Sequence, residues 1–231
     1  MQLLPLPEAV PSGIEVWLLE LNLRMPVSDS DISLLCEGEL THALRFHRHE
    51  DQVRSIATRA ALRRMLASRV KQPADMLRFV TNCHGKPRLQ HEICIDFNVS
   101  HAGCFALIAL STSGQVGVDI EYRDRGIDAK SLRAYVFSPL EQGIGLKTDK
   151  DFIERWVVKE SVLKALGLGI SEHLQAISIL PVDGETFRVE HDHPEWSGIR
   201  VWSIEAPDCY AAALAVKSPG PTLPALGTFQ R

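Results

Sequence analysis

The spacing of apolar and polar positions changes several times along the chain, and each change marks a different element. From Ile14 to Leu21 the run IEVWLLEL is β-prone and mostly apolar, bounded by Pro11, Gly13 and Pro26, which predicts a buried strand. Asp29 to Phe46 reads as one helix, with Ser28 or Asp29 as its cap. A second helix is predicted from Glu50 to about Val70, where Val53, Ile56, Ala57, Ala60, Ala61 and Leu66 form an apolar stripe. Leu77–Thr81 and Ile93–Val99 read as strands on either side of the turn Asn82–Pro87. Two apolar stretches, Cys104–Ser111 and Val116–Glu121, flank the turn signal Ser113-Gly114 and predict a β-hairpin. Helical patterns follow at Asp128–Phe137, Pro139–Gly143 and Asp151–Leu166, the last stopped by Gly167 and Gly169. Short strands recur at Ala176–Leu180, Thr186–Glu190, Ile199–Glu205 and Tyr210–Val216, and the final stretch SPGPTLPALGTFQR reads as loop or disorder.

Both halves place helices between strands, which predicts an α+β protein of two packed α/β lobes, residues 1–102 and 103–218, followed by a tail at 219–231. A chain of 231 residues with 45% apolar content can build a self-sufficient core. The five cysteines (Cys36, Cys83, Cys94, Cys104, Cys209) are widely spaced and include no C-x-x-C pair, so a reducing compartment fits better than a disulfide framework or a zinc knuckle. The start MQLLPLPEAVPSG lacks Lys and Arg and is broken by three prolines, unlike a secretory signal. No apolar run approaches the roughly 20 residues that span a bilayer. These features predict a cytoplasmic protein with no membrane or nucleic-acid partner.

Net charge is only −4, but His42 to Lys71 carries eight Lys/Arg against Glu50 and Asp51, so one basic segment lies in an acidic background. Such a segment is either a solvated helix face or a surface for phosphate or an acidic partner. Asp119 and Glu121 stand two apart in a strand pattern and should project from one face of the sheet. Two carboxylates brought together repel each other unless a hard divalent cation compensates them; the alternative is a solvated strand end. In RWVVKESVLKALG, Trp156, Glu160 and Lys164 recur every four residues and share a helix face, with Lys159 pointing elsewhere. This is either an exposed Glu-Lys pair beside a core tryptophan, or, given Val157, Val158, Val162 and Leu163, a pair partly enclosed. In FNVSHAG, Ser100 and His101 are adjacent and must face opposite ways, a poor arrangement for a nucleophile and its base but one that can offer groups to phosphate oxygens.

Taken in order, Gly85-Lys86-Pro87, FNVSH, VGVDIE and WVVKESVLKALG resemble the Sfp-type 4'-phosphopantetheinyl transferases, and LRFHRHEDQVRSIATRAALRRML upstream is similar to the family's long N-terminal helix. The resemblance implies the family's fold of two similar lobes with pseudo-two-fold symmetry in one chain, and hence a monomer. It implies an enzyme that moves the phosphopantetheine arm of coenzyme A to a serine of an apo acyl or peptidyl carrier protein, releasing adenosine 3',5'-bisphosphate. It makes Asp119, Glu121 and Glu160 the ligands of Mg²⁺ or Mn²⁺, and Asp119, Glu160 and Lys164 the catalytic residues, with Glu160 ligating first and acting as base second. Coenzyme A would meet Gly85, Lys86, Pro87, Ser100, His101 and Lys164, with Arg48 or Ser55 among the candidates for its 3'-phosphate. Relatives often carry lysines ahead of the Arg-Phe pair, where this chain has Glu39 and His42. The competing functions for the same residues are a Mg²⁺-dependent hydrolase of the coenzyme A pyrophosphate and a non-catalytic binder of coenzyme A or carrier.

Overall fold

The computed structural model describes residues 1–124, 126, 128–144, 149–169 and 173–218, so the expected loop at 219–231 lies outside the described residues. Strands β1 (Gln2–Leu3), β2 (Ile14–Glu20), β5 (Asp96–Ala102) and β6 (Phe105–Ser111) form an antiparallel sheet in the order β1-β2-β6-β5. Strands β7 (Gln115–Tyr122), β8 (Ser178–Pro181), β9 (Thr186–Glu190), β10 (Ile199–Ser203) and β11 (Tyr210–Lys217) form a second, in the order β7-β11-β10-β9-β8. A short ribbon pairs β3 (Phe79–Thr81) with β4 (Pro87–Leu89) across the Asn82–Lys86 turn.

The same topology occurs twice. In each sheet the first long strand lies beside the last, and the last beside the one before it: β2-β6-β5 and β7-β11-β10. Between first and later strands each half inserts one long helix, α3 (His49–Val70) or α6 (Asp149–Leu166). Helix α3 covers the outer face of the first sheet through Leu62, Met65 and Leu66 against Phe97 and Ile108, and α6 covers the second through Val157, Val158 and Val162 against Val201 and Ala213. The inner faces meet in a third apolar layer that includes Val16, Leu107, Val118, Leu214 and Trp202. Two similar α+β lobes are thus packed sheet against sheet.

Three sequence expectations need correcting. β6 and β7 are not a hairpin: β6 pairs with β2 and β5, while β7 pairs with β11 along its length. The turn at Thr112–Gly114 passes from one sheet to the other, so β6 belongs to the first lobe and the divide falls after Ser111 rather than at Ala102. The stretch 29–46 is two helices, α1 (Asp29–Ile32), capped by Ser28, and α2 (Glu37–Leu44), which restarts at Cys36 with the Glu39 carboxylate accepting from the Cys36 N–H at 3.0 Å. The break lets each short helix reach α3: Asp31 pairs with Arg64 at 2.6 Å and Glu39 with Arg63 at 2.7 Å.

The basic segment is therefore largely an internal fastening. Arg63 is 1% exposed and also donates to the carbonyls of Ala74 and Leu77, Arg69 pairs with Glu15 of β2, and Arg54 pairs with Asp51. The remaining helices, α4 (Ala129–Val136) and α5 (Pro139–Ile144), lead into α6.

Candidate active site

Cross-strand pairing decides where the acidic pair points. Asp119 and Glu121 oppose Ala213 and Ala211 of β11, and those alanines belong to the layer under α6. Both acids thus project toward α6, as the two-residue spacing predicts. The helix can come close because β7 has glycine at 117: a Cβ there would lie 2.1 Å from the Ser161 carbonyl oxygen and 2.3 Å from the Ala165 nitrogen. At its C-terminal end α6 is stopped by Gly167 at φ 72°, and the Gly167 carbonyl accepts from the Asn82 side-chain amide at 2.8 Å.

This crossing places Lys164 Nζ 2.5 Å from Asp119 Oδ1 and 3.6 Å from Glu160 Oε2. Ser100 of β5 completes the cluster. Its hydroxyl donates to Asp119 Oδ1 at 2.7 Å and receives Lys164 Nζ at 3.1 Å. Asp119 is 1% exposed and Glu160 7%. Burial first, then the Asp119 charge, pushes the Glu160 carboxyl up to about 7, with Lys164 opposing. Burial pulls the Lys164 ammonium down, but Asp119 and Glu160 outweigh it and hold the group above the ordinary lysine range. The Glu-Lys pair of α6 is therefore enclosed rather than exposed.

Among the described residues no three His, Cys, Asp or Glu side chains form a ready-made metal site. The donor set nevertheless fits a hard divalent cation. Asp119 Oδ2 is buried with no hydrogen-bond partner, and the Glu160 carboxyl is pushed up first by burial and then by the nearby Asp119 charge, with a smaller push from Glu121 and with Lys164 as the compensating cation. Carboxylate oxygens of this kind are what Mg²⁺ or Mn²⁺ takes.

The other predicted residues separate into two groups. Ser55, Pro87 and His101 line one cavity of about 280 Å³ together with Phe46, Arg59 and Val99. His101 is exposed and faces away from Ser100, and its proton affinity is lowered by partial enclosure and then by the charge of Arg54. A second cavity of about 360 Å³ shares His42, Ser55 and Arg59 and runs on toward Cys36 and Phe79. Arg48 is the exposed N-cap residue of α3 and does not line the first cavity. Gly85, at φ 84°, makes the turn. The Lys86 ammonium is turned inward, to Asp96 Oδ2 and the Val116 carbonyl, each at 3.0 Å. Glu39 likewise serves Arg63 and Arg59 rather than a ligand.

Two features escaped the sequence reading. Lys159 and Glu141 form an ion pair with both side chains 0% exposed; Lys159 also donates to the Ile177 carbonyl at 2.7 Å, and Glu141 accepts from the N–H groups of Ser138 and Ile179. The second is a ladder between the lobes. Asp96, Asn98 and Ser100, alternate residues of β5, accept the N–H groups of Val116, Val118 and Ile120, alternate residues of β7, at 2.7, 2.9 and 3.3 Å. The D-x-N-x-S alternation in DFNVSHA was its signal.

Two repeated lobes, packed face to face with the edge strands β5 and β7 side by side, thus place an acidic cluster and a lysine at their junction. Comparison with known families gives the class. Residues 28–113 match the family described as 4'-phosphopantetheinyl transferase, N-terminal, and residues 115–215 match the 4'-phosphopantetheinyl transferase superfamily. The chain is 32% identical over 188 residues to a putative 4'-phosphopantetheinyl transferase of Synechocystis, covering 74% of this chain and 76% of that one. It is 31% identical over 208 residues to the 4'-phosphopantetheinyl transferase HetI of Nostoc, covering 86% of each chain. Sfp of Bacillus subtilis is 29% identical over 172 residues, covering 72% of this chain and 69% of its own. The chain belongs to the 4'-phosphopantetheinyl transferase superfamily.

Proposed function

We propose that this protein transfers the 4'-phosphopantetheine arm of coenzyme A to a serine hydroxyl of an apo carrier protein. The observation that carries the reading is the buried cluster of Asp119, Glu160 and Lys164, in which one Asp119 oxygen has no protein partner. Asp119, Glu121 and Glu160 would hold Mg²⁺ or Mn²⁺. Bound there, such a cation would supply neutralisation of the pyrophosphate and of the charge that develops on the leaving phosphate.

The chain's own residues supply the rest. Lys164 presents a cation held charged by its neighbours, suited to a pyrophosphate oxygen. Ser55, Pro87 and His101 form the wall along which the nucleotide end of coenzyme A lies. The serine oxygen attacks the phosphorus that carries the pantetheine, the bond to the adenosine bisphosphate oxygen breaks, and the serine proton must leave. Glu160, with a carboxyl near 7, has the proton affinity for that task, but a cation on the same group lowers it, so Glu160 is first a ligand and second a base. Among the described residues no helix is long and apolar enough to cross a membrane. Because one chain supplies both lobes of the cleft, we read the enzyme as a monomer.

The test is intact-mass measurement of an apo carrier protein incubated with this protein, coenzyme A and Mg²⁺, beside a matched sample with EDTA. A metal-dependent gain of one phosphopantetheine is the expected outcome. Release of free phosphopantetheine without a carrier adduct would instead make it a hydrolase.

A further inference from the structure

The hydroxyl of Ser100 has no bonding capacity left. A serine offers one donor and two acceptor lone pairs. Here the donor goes to Asp119 Oδ1 at 2.7 Å, and the lone pairs receive the Ile120 N–H at 3.3 Å and Lys164 Nζ at 3.1 Å. Ser100 is 7% exposed and belongs to the opposite lobe from the two groups it joins. It is also the last rung of the β5–β7 ladder, after Asp96 and Asn98. One hydroxyl thus links the strand that carries Asp119, the helix that carries Lys164 and the edge of the first sheet.

We propose that Ser100 is a positioning residue for Asp119 and Lys164, not a ligand of coenzyme A. By holding Asp119 Oδ1 from one side it fixes the carboxylate's rotation, which leaves the unpartnered Oδ2 to face a cation. Groups that hydrogen-bond a ligating carboxylate are expected to matter for metal affinity on the order of 10-fold to 100-fold. A direct phosphate ligand would act on coenzyme A binding whether or not metal is present. The two roles therefore predict different measurements. This inference rests on reading Asp119 as a metal ligand.

The experiment compares wild type with Ser100→Ala, Ser100→Cys and Ser100→Thr in two binding assays. Coenzyme A binding is measured by calorimetry in EDTA, and Mn²⁺ binding by electron paramagnetic resonance without coenzyme A. Expected is a loss of Mn²⁺ affinity of about 10-fold or more in the alanine variant, coenzyme A affinity in EDTA within about 2-fold of wild type, and recovery of Mn²⁺ affinity in the threonine variant, which keeps the hydroxyl. The cysteine variant, close to serine in size but a weak hydrogen-bonding group, gives the same reading should the alanine variant fold poorly. Weakened metal-free coenzyme A binding with unchanged Mn²⁺ affinity would overturn the proposal and make Ser100 a ligand. No change in either assay would overturn it as well. Asp119→Asn serves as the separate control: if it leaves Mn²⁺ affinity intact, the metal-site reading itself has failed.

Discussion

Gly117 of β7 lies against Ser161 of α6 so closely that a Cβ on the glycine would stand 2.1 Å from the serine carbonyl oxygen. No side-chain adjustment relieves that contact, because the obstacle is helix backbone. The whole of α6 would have to lift from the sheet, and Glu160 and Lys164 would move away from Asp119 with it. Gly117→Ala should therefore cost stability by about 1–3 kcal/mol and reduce transfer disproportionately. Thermal melts beside kcat show this; a variant with lowered melting temperature but unchanged kcat would contradict it.

Glu160 predicts a pH dependence of definite sign. Its carboxyl rises from 4.5 to about 7 on folding, so between those values the native protein holds a proton that the unfolded chain has lost. Stability of the metal-free protein then falls as pH rises through that window, by something on the order of 3 kcal/mol, and levels off above it. Urea denaturation in EDTA across the window should display the slope, and Glu160→Gln should remove it. Divalent cation binding runs the other way, releasing a proton and weakening as pH drops below about 7.

Removing Lys164 leaves Asp119, Glu121 and Glu160 without the ammonium that now contacts Asp119 and Glu160. Lys164→Ala should lower kcat by about 10²- to 10³-fold, as expected for the loss of a preorganised cation at developing charge. Lys164→Arg keeps the charge but replaces a compact ammonium with a planar fork, so it should restore only part of the rate. Single-turnover assays on a carrier protein measure both.

The buried pair Lys159–Glu141 anchors the start of α5 and the β8 strand to α6. Lys159→Met strands a carboxylate in the core and should cost about 3–5 kcal/mol in chemical denaturation. Adding Glu141→Gln to that variant should recover part of the loss, since a neutral amide still accepts a hydrogen bond. Equal stability of the single and double variants would show that the charge is not the issue.

Much of the site could be read from local periodicity. The spacing of Asp119 and Glu121 put both on one strand face, and the four-residue repeat of Glu160 and Lys164 put both on one helix face. What local pattern could not supply was the partner of each element. The Ser113-Gly114 turn looked like a hairpin, yet β7 finds its mate in β11, whose residues lie far along the chain, because both faces of β7 need cover: the inter-sheet layer on one side and α6 on the other. Lys159 fell on the opposite face of α6 from Lys164, and nothing nearby in sequence announced Glu141 as its counter-charge. The resemblance made Lys86 a contact of coenzyme A, whereas Asp96, a strand carbonyl and a helix carbonyl take its ammonium inward.

The β5–β7 ladder has one more consequence. Where the edge strands β5 and β7 of the two lobes run side by side, they are joined by three side chains rather than by a continuous run of backbone bonds. Each lobe closes its own sheet, its first long strand beside its last, and among the described residues the chain crosses between them once, at Thr112–Gly114. Cutting the chain at that crossing would leave two pieces, each with a complete sheet and its long helix, and a contact surface that already behaves like an interface between subunits. Co-expressed as separate polypeptides, the pieces should assemble by themselves and regain transfer activity, which size-exclusion chromatography and the mass assay would register together.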